Sequence, residues 1–498
     1  MALILVVDQS TSATKALLFA TDGRLLDKES RDHAQHYPQP GWVEHDAEEI
    51  WLNVLATVRA LLARHAVDAK EILGFSLTNQ RETIVVFDRA TGRPLHRAIV
   101  WQCRRSESLC AAASAGGHEE LVASRTGLRI DPYFSASKLQ WLVRERPDLR
   151  AKLESGEAVI GTIDAYLIHR LTRGAVFACD PTNASRTLLF DVRRLRWDEE
   201  LCALWQVPVR ALPEVRESFA RFGETTLDGL LPRAVPICGV MGDSQAALFA
   251  HGCFTRGSAK VTLGTGSSVL LNLGTEFRRS AQGVVTALAW VRDGRPVYAF
   301  EGIIIAAAST LTWLRDQLKL VDRLDGVEAM ATELPDNGGV YLVPAFSGLG
   351  LPYWKADARA AIVGLTTHSD RRHVLRAAQE SIAFQLGDAL QALRADAGIE
   401  VAAIHADGGP TANRFLMQFT ADVTGAELRL APFAECSAFG AVSAGLLGLG
   451  VFSSLDELAA RPRAGLVYRP QMDAARVAAL RRGWQHAVRQ TIFPREQS

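Results

Sequence analysis

The chain has no C-x-x-C pair, no Gly-Lys dipeptide, no G-x-G-x-x-G or G-x-S-x-G turn, and no H-E-x-x-H spacing. Zinc-ribbon and thioredoxin-type chemistry therefore have no support, nor does a Walker A phosphate loop. A dinucleotide fingerprint, a hydrolase nucleophile elbow and a zincin helix are missing as well. The seven cysteines (Cys103, Cys110, Cys179, Cys202, Cys238, Cys253 and Cys436) are scattered and odd in number, which fits free thiols in a reducing cytoplasm. Met1 runs directly into an apolar strand, with no basic leader and no cleavage signal, so a cytoplasmic location is expected. Net charge is also lacking. Fifty-five basic residues balance fifty-five acidic ones, which argues against a nucleic-acid or membrane-surface partner. The most apolar segment, Ile303 to Ala308, is far too short to cross a bilayer.

What is present is an ordinary globular composition, 48% hydrophobic and 22% charged, over 498 residues. At roughly 150 residues per domain that length suggests two to four domains, each able to bury a core without a staple. The segment from Val235 to Leu273 organises the reading. Val235 to Val240 is a buried-strand pattern ending in Gly242-Asp243-Ser244, which opens a helix over Gln245 to Ala250. Ala259 to Leu263 and Val269 to Leu273 are strands joined by Gly264-Thr265-Gly266-Ser267-Ser268. An acid at a strand-to-helix turn thus lies near a Gly/Thr/Ser hairpin. Glycine lets backbone N–H groups approach an anion, and a carboxylate beside a phosphate cradle can accept a proton from an attacking hydroxyl or hold Mg²⁺. A solvated helix-capping Asp and a plain glycine hairpin would give the same pattern.

The same design opens the chain. Leu3 to Val7 ends at Asp8, followed by Gln9-Ser10-Thr11-Ser12-Ala13-Thr14-Lys15 and a second strand, Ala16 to Ala20. Two hydroxyl-rich hairpins suggest a duplicated architecture, with the boundary placed near Gly252 where composition turns glycine-rich, giving domains 1–251 and 252–498. Helical spacing covers Asp46 to His65, Ile303 to Leu318 and His373 to Ala392. Asp191 to Pro213 carries a helix with Trp197, Leu201 and Trp205, and Asp180 to Thr187 reads as a polar loop. Ile72 to Leu77 and Ile99 to Val100 are apolar runs whose ends place Arg81, Glu82 and Trp101 where α/β folds put ligand contacts. Arg and Glu suit vicinal hydroxyls and an indole face suits a carbon chain, although a surface salt bridge and a core Trp are equally simple readings. Ile404 to Ala406 leads into Asp407-Gly408-Gly409-Pro410-Thr411-Ala412-Asn413 and a helix from Arg414 to Thr424. Phe439 to Leu449 is a small-residue helix suited to close packing.

Together these segments resemble the FGGY carbohydrate-kinase family over nearly the whole chain. Tyr133 to Leu142 fits the first family signature, and Gly364 to Glu380 fits most of the second, with Gln379 where an apolar residue is usual. Pro40 to Asp46, Thr78 to Thr83, Ile99 to Arg105 and Thr182 to Thr187 resemble the members that act on glycerol. The resemblance implies an α/β fold of two actin-like (ribonuclease H-like) domains around a cleft. It implies ATP and Mg²⁺ as co-substrate and metal, and transfer of a phosphoryl group to a terminal hydroxyl of a small polyol, glycerol first. A kinase for a four- or five-carbon polyol or ketose is the second expectation, and an actin-like ATPase with a protein partner the third. A homo-oligomer, dimer or tetramer, is expected.

Residue by residue, the resemblance makes Asp243 the general base. It puts Arg81, Glu82, Trp101 and Tyr133 on the substrate and Thr11, Ser12, Lys15, Thr265, Gly266, Gly409 and Asn413 on the nucleotide, with Asp8 and Asp243 at the metal. The departures from the glycerol-type pattern are Ser244 for a Gln and Ser268 for a Phe at the substrate, and Ala308 and Thr312 for a Gly and a Gln at the nucleotide.

Overall fold

The computed structural model describes residues 2–64, 71–355, 357–433, 435–461 and 465–492. Met1 and His65 lie outside the described residues. Two mixed sheets organise the chain. The first has Leu3–Gln9 near its centre, antiparallel to Ala13–Ala20 and then Leu25–Asp32 on one side. On the other side it runs parallel to Ile72–Asn79, then Val235–Gly242, with Arg221–Thr225 at the edge. Leu3 to Val7 is apolar at every position because both faces are covered. Leu3, Leu5 and Val7 pack on Ile50, Val54 and Leu61 of the helix Ala47–Arg64. Ile4 and Val6 pack on Ala438, Ala441 and Val442 of the helix Cys436–Gly448.

The second sheet repeats the plan. Ala259–Leu263 is antiparallel to Ser267–Gly274, which pairs with Arg295–Ile304 and so reaches Val285–Arg292. On its other side lie the parallel strands Ala403–Asp407 and Glu427–Leu430, and Val467–Tyr468 closes the edge. The helix Arg371–Ala397 covers one face, where Val269 and Leu271 meet Ile382 and Leu390. The helix Asp243–Ala250 covers the other, with Phe249 against Leu270. The two helices 243–250 and 436–448 cross between the sheets. A Cβ on Gly440 would stand 1.8 Å from the Ala246 carbonyl oxygen, so the small-residue composition is a packing requirement. A four-stranded sheet of Glu44–His45, Ala98–Ile99, Ile84–Asp88 and Ala158–Thr162 extends the first half.

Three expectations are corrected. Ile303 and Ile304 complete a strand, Arg295–Ile304, and the helix runs only over Ser309–Asp316. The β-branched run favours the sheet, and the Ala307 and Ala308 N–H groups are taken by the carbonyls of Thr265 and Gly264. Between 191 and 213 the helix is only Glu199–Leu204, capped by the Asp198 carboxylate, while Trp197 sits in a two-residue strand and donates to the Pro213 carbonyl at 2.7 Å. The polar stretch from Asp180 is a buried helical turn, Pro181–Ala184, rather than a loop at the surface. Its polarity is consumed internally, with Asp180 accepting from the Asn183 N–H and from Ser218 Oγ. All seven cysteines are free and buried. No helix among the described residues is long and apolar enough to cross a membrane.

Candidate active site

Asp8 and Met241 both pair with Thr78, on either side of one strand, so three parallel strands end together. Their ends deliver Asp8, the Asn79-to-Glu82 turn and Asp243 to one place. Gly242 caps the helix that begins at Asp243, and its N–H donates to Thr182 Oγ1 at 2.8 Å. A Cβ on Gly242 would come within 2.7 Å of Arg81 Cγ, so only glycine lets Arg81 lie across this turn. In the second sheet Thr262 pairs with Asp407, and the hairpin 264–266 and the Gly408-Gly409 turn follow at that edge. The two lobes therefore present parallel-strand ends, the usual ligand edge of α/β sheets.

Arg81, Glu82 and Asp243 are linked through two residues that sequence reasoning missed. Arg81 Nη2 lies 2.9 Å from Glu301 Oε1, and its Nε lies 3.2 Å from Asp243 Oδ1. Arg186 Nη1 lies 2.6 Å from Glu301 Oε2, and its Nε 2.6 Å from Glu82 Oε1. The side chains of Arg186 and Glu301 are 0% exposed, whereas that of Asp243 is 36% exposed. Burial pushes the Glu301 carboxyl up, but Arg186 and Arg81 outweigh it and bring it down to about 2. Burial raises Glu82, Arg186 and Arg81 oppose the rise, and the Glu301 charge adds to it. Glu82 has φ +63, a left-handed conformation disfavoured for a side chain, and Ser135 Oγ donates to its carbonyl at 2.8 Å. The salt-bridge reading of Arg81 and Glu82 is right in chemistry, but the pairs are buried.

The aromatic wall stands beside this chain of charges. The Trp101 and Tyr133 rings are 5.3 Å apart, and Trp101 Nε1 donates to Thr11 Oγ1 at 2.9 Å. Burial pushes the Tyr133 phenol well up, so it remains a hydroxyl. Ser268 Oγ donates to Glu301 Oε1 at 3.4 Å, and the Ser244 N–H donates to Asp243 Oδ1 at 2.6 Å. The Arg186 guanidinium lies 6.0 Å from the centre of the Tyr133 ring, so Thr11, Arg81, Glu82, Trp101, Tyr133, Asp243, Ser244 and Ser268 form one connected group.

Of the expected nucleotide residues, Thr265, Gly266 and Ala308 lie together, apart from Thr11. Ala308 N–H donates to the Gly264 carbonyl, and Ser309 Oγ to that of Thr265, so the hairpin turn docks on the start of the helix 309–316. A Cβ on Gly266 would lie 2.6 Å from the Ile304 oxygen. Gly408 has φ +101 and room for no Cβ, while Gly409 beside it faces open space. Ser12, Thr265, Thr312 and Gly409 are exposed. Asn413 is already engaged: its Oδ1 accepts from the Leu416 N–H and its Nδ2 donates to Gln379 Oε1 at 2.7 Å. That bond accounts for the unusual Gln379.

Asp8 is buried, and its carboxyl is raised to about 7 by burial, with Lys15 lowering it and Asp243 and Glu435 raising it further. Asp8 and Asp243, at the ends of the two strands that flank Ile72–Asn79, are a hard-oxygen donor pair, which suits a divalent cation such as Mg²⁺.

The chain belongs to the FGGY family of carbohydrate kinases: the family's N-terminal domain matches residues 3–250 and its C-terminal domain residues 259–449. It is 44% identical to a glycerol kinase of Desulfitobacterium hafniense, over 98% of this chain and 99% of that protein. It is 46% identical to a glycerol kinase of Leptothrix cholodnii, over 99% of this chain and 100% of that one. Among solved structures it is similar to Plasmodium falciparum glycerol kinase with ADP, at a TM-score of 0.93 and 35% identity over 99% of each chain.

Proposed function

We propose that this carbohydrate kinase transfers the γ-phosphoryl group of ATP to a terminal hydroxyl of glycerol, giving glycerol 3-phosphate. The observation that carries the reading is the partly open Asp243 carboxylate held against a buried Arg81, beside Glu82, Trp101 and Tyr133. Glycerol kinases similar over the full length support the choice of acceptor.

In this reading Arg81, Glu82 and Tyr133 take the acceptor hydroxyls, while Trp101 lies against its carbons. Asp243 accepts the proton of the terminal hydroxyl as that oxygen forms its bond to the γ-phosphorus. The bond to the bridging oxygen breaks, and ADP leaves with the electron pair. Backbone N–H groups around Thr265, Gly266 and Gly409, the hydroxyls of Thr11 and Ser12, and Lys15 hold the phosphates, with Ala308, Thr312 and Asn413 around the rest of the nucleotide. Asp8 and Asp243 would hold Mg²⁺, whose contribution when bound is to offset phosphate charge. Lobe closure excludes water, so ATP is spent on the polyol.

A second reading has one specific observation behind it. Ser268 presents a hydroxyl, not a ring, to the acceptor side and touches Glu301. That wall suits a four-carbon polyol or ketose as well. A coupled ADP-release assay over glycerol, erythritol, erythrulose, xylulose and ribulose tests both. Glycerol should give the highest kcat/KM under the first reading, and turnover with water alone would sink both.

A further inference from the structure

Glu301 belongs to the strand Arg295–Ile304 of the second sheet, whereas Arg81, Glu82 and Arg186 come from the first half of the chain. We propose that Glu301 is a positioning residue for the phosphoryl transfer: held by Arg186, it fixes Arg81 in the orientation that leaves Asp243 and Glu82 available to the acceptor. The inference rests on the function proposed above.

The charges carry the argument. Arg81, Arg186, Glu82 and Glu301 are two cations and two anions, all with side chains 5% exposed or less. They balance one another, and Asp243, which meets this set only through Arg81 Nε, is the member that opens to solvent. The geometry of Arg81 fits the same account. Nη2 lies against Glu301 Oε1, Gln245 Oε1 takes Nη1 at 3.2 Å, and only Nε, 3.2 Å from Asp243 Oδ1 and without a hydrogen-bond partner, faces the base. A guanidinium prefers to grip a carboxylate with two parallel N–H groups. Glu301 prevents that grip on Asp243 by holding the adjacent nitrogen.

Without the Glu301 charge, two buried guanidinium groups would share one buried carboxylate. Arg186 would draw Glu82 fully to itself, and Arg81 would turn its free Nη2 onto the second oxygen of Asp243. The base would be covered, and both acceptor-binding groups would be displaced together. Nothing in this change touches the turns at 264–266 and 408–409. Acceptor binding and turnover should therefore suffer while ATP binding does not.

The test is Glu301→Gln, which keeps the shape and removes the charge. Its kcat should fall ~10²-fold, the size expected of a small misplacement at the reacting groups, and its acceptor KM should rise. Its KM for Mg-ATP should stay within twofold of the wild type. The double variant Arg186→Gln/Glu301→Gln restores the charge balance, so it should regain at least tenfold in kcat over Glu301→Gln alone. Additive losses in the double variant, or a wild-type kcat in Glu301→Gln, overturn the proposal. If Glu301→Gln does not fold, Glu301→Asp carries the test: a raised acceptor KM with unchanged ATP KM supports the role, and equal changes in both, or none, refute it. A wild type that phosphorylates no acceptor in the polyol and ketose panel overturns both this role and the proposed function. A wild type that does so, beside an unaffected Glu301→Gln, overturns the role alone.

Discussion

Lys15 Nζ lies 2.9 Å from Glu435 Oε2 and 3.9 Å from Asp8 Oδ2, so the cation of the first hydroxyl turn is shared between two carboxylates. The other Glu435 oxygen is 2.8 Å from Lys28 Nζ. Burial works against the Lys15 charge, but Asp8 and Glu435 outweigh it and raise the ammonium. Lys15 is thus a charged group tied to Glu435 and, more loosely, to Asp8.

Glu435→Gln should release Lys15. Such a partly exposed pair is worth ~0.2–1 kcal/mol, so the KM for Mg-ATP should fall by about 1.4- to fivefold. Steady-state kinetics at fixed acceptor measures it. An unchanged or higher KM would mean that Lys15 does not reach the nucleotide.

Asp243→Asn should fold and bind nucleotide but lose turnover. Removing a general base typically costs ~10²–10⁴-fold. Calorimetric titration with ATP separates binding from chemistry. A kcat within threefold of the wild type would exclude Asp243 as the base.

Much of this was legible from residue order because burial leaves a pattern. Leu3 to Val7 is apolar throughout because a helix covers each face, and Arg81 and Glu82 are conspicuous at a strand end. Glu301 and Arg186 were not legible. A single acid after Tyr298-Ala299-Phe300, or an arginine closing a polar stretch, reads locally as a surface charge, and their meaning comes from pairing between the two halves of the chain. Ile303 to Leu318 reads as one helix because apolar spacing alone does not separate a β-branched strand end from a helix start. The burial of Asp180 to Arg186 was hidden for a related reason: polar residues that satisfy one another have the composition of a loop.

Acid sensitivity should trace in part to His45. It is buried, its Nε2 lies 2.8 Å from Gln35 Oε1, and its ring packs 4.6 Å from that of His33. Burial, then the charges of His33 and His36, lower it to about 3. The unfolded chain therefore binds a proton below about pH 6.5 that the folded chain refuses until about pH 3, and stability falls as pH drops through that window, by up to ~1.4 kcal/mol per unit. Asp8 and Asp164, both raised to about 7, act in the opposite sense, since the folded state holds their protons. His45→Gln should narrow the difference between urea midpoints at pH 7 and pH 5. The same difference in wild type and variant would remove His45 from the account.

Ser268 should set acceptor size. Its hydroxyl donates to Glu301 Oε1 at 3.4 Å and belongs to the connected group that includes Trp101 and Tyr133. A small polar side chain fills less space than a ring and can offer a hydrogen bond to one more hydroxyl. Filling or opening one methylene of space is worth ~1–3 kcal/mol, roughly 10- to 200-fold in kcat/KM, so discrimination against four-carbon polyols should be modest in the wild type. Ser268→Phe should close that volume and shift the glycerol-to-erythritol ratio of kcat/KM toward glycerol by about tenfold or more. The bond from Ser268 to Glu301 is long and Glu301 keeps both arginines, so the variant should retain turnover on glycerol. If the wild type uses glycerol alone and Ser268→Phe leaves the ratio unchanged, the pocket is closed by other residues and Ser268 has no part in selecting the acceptor.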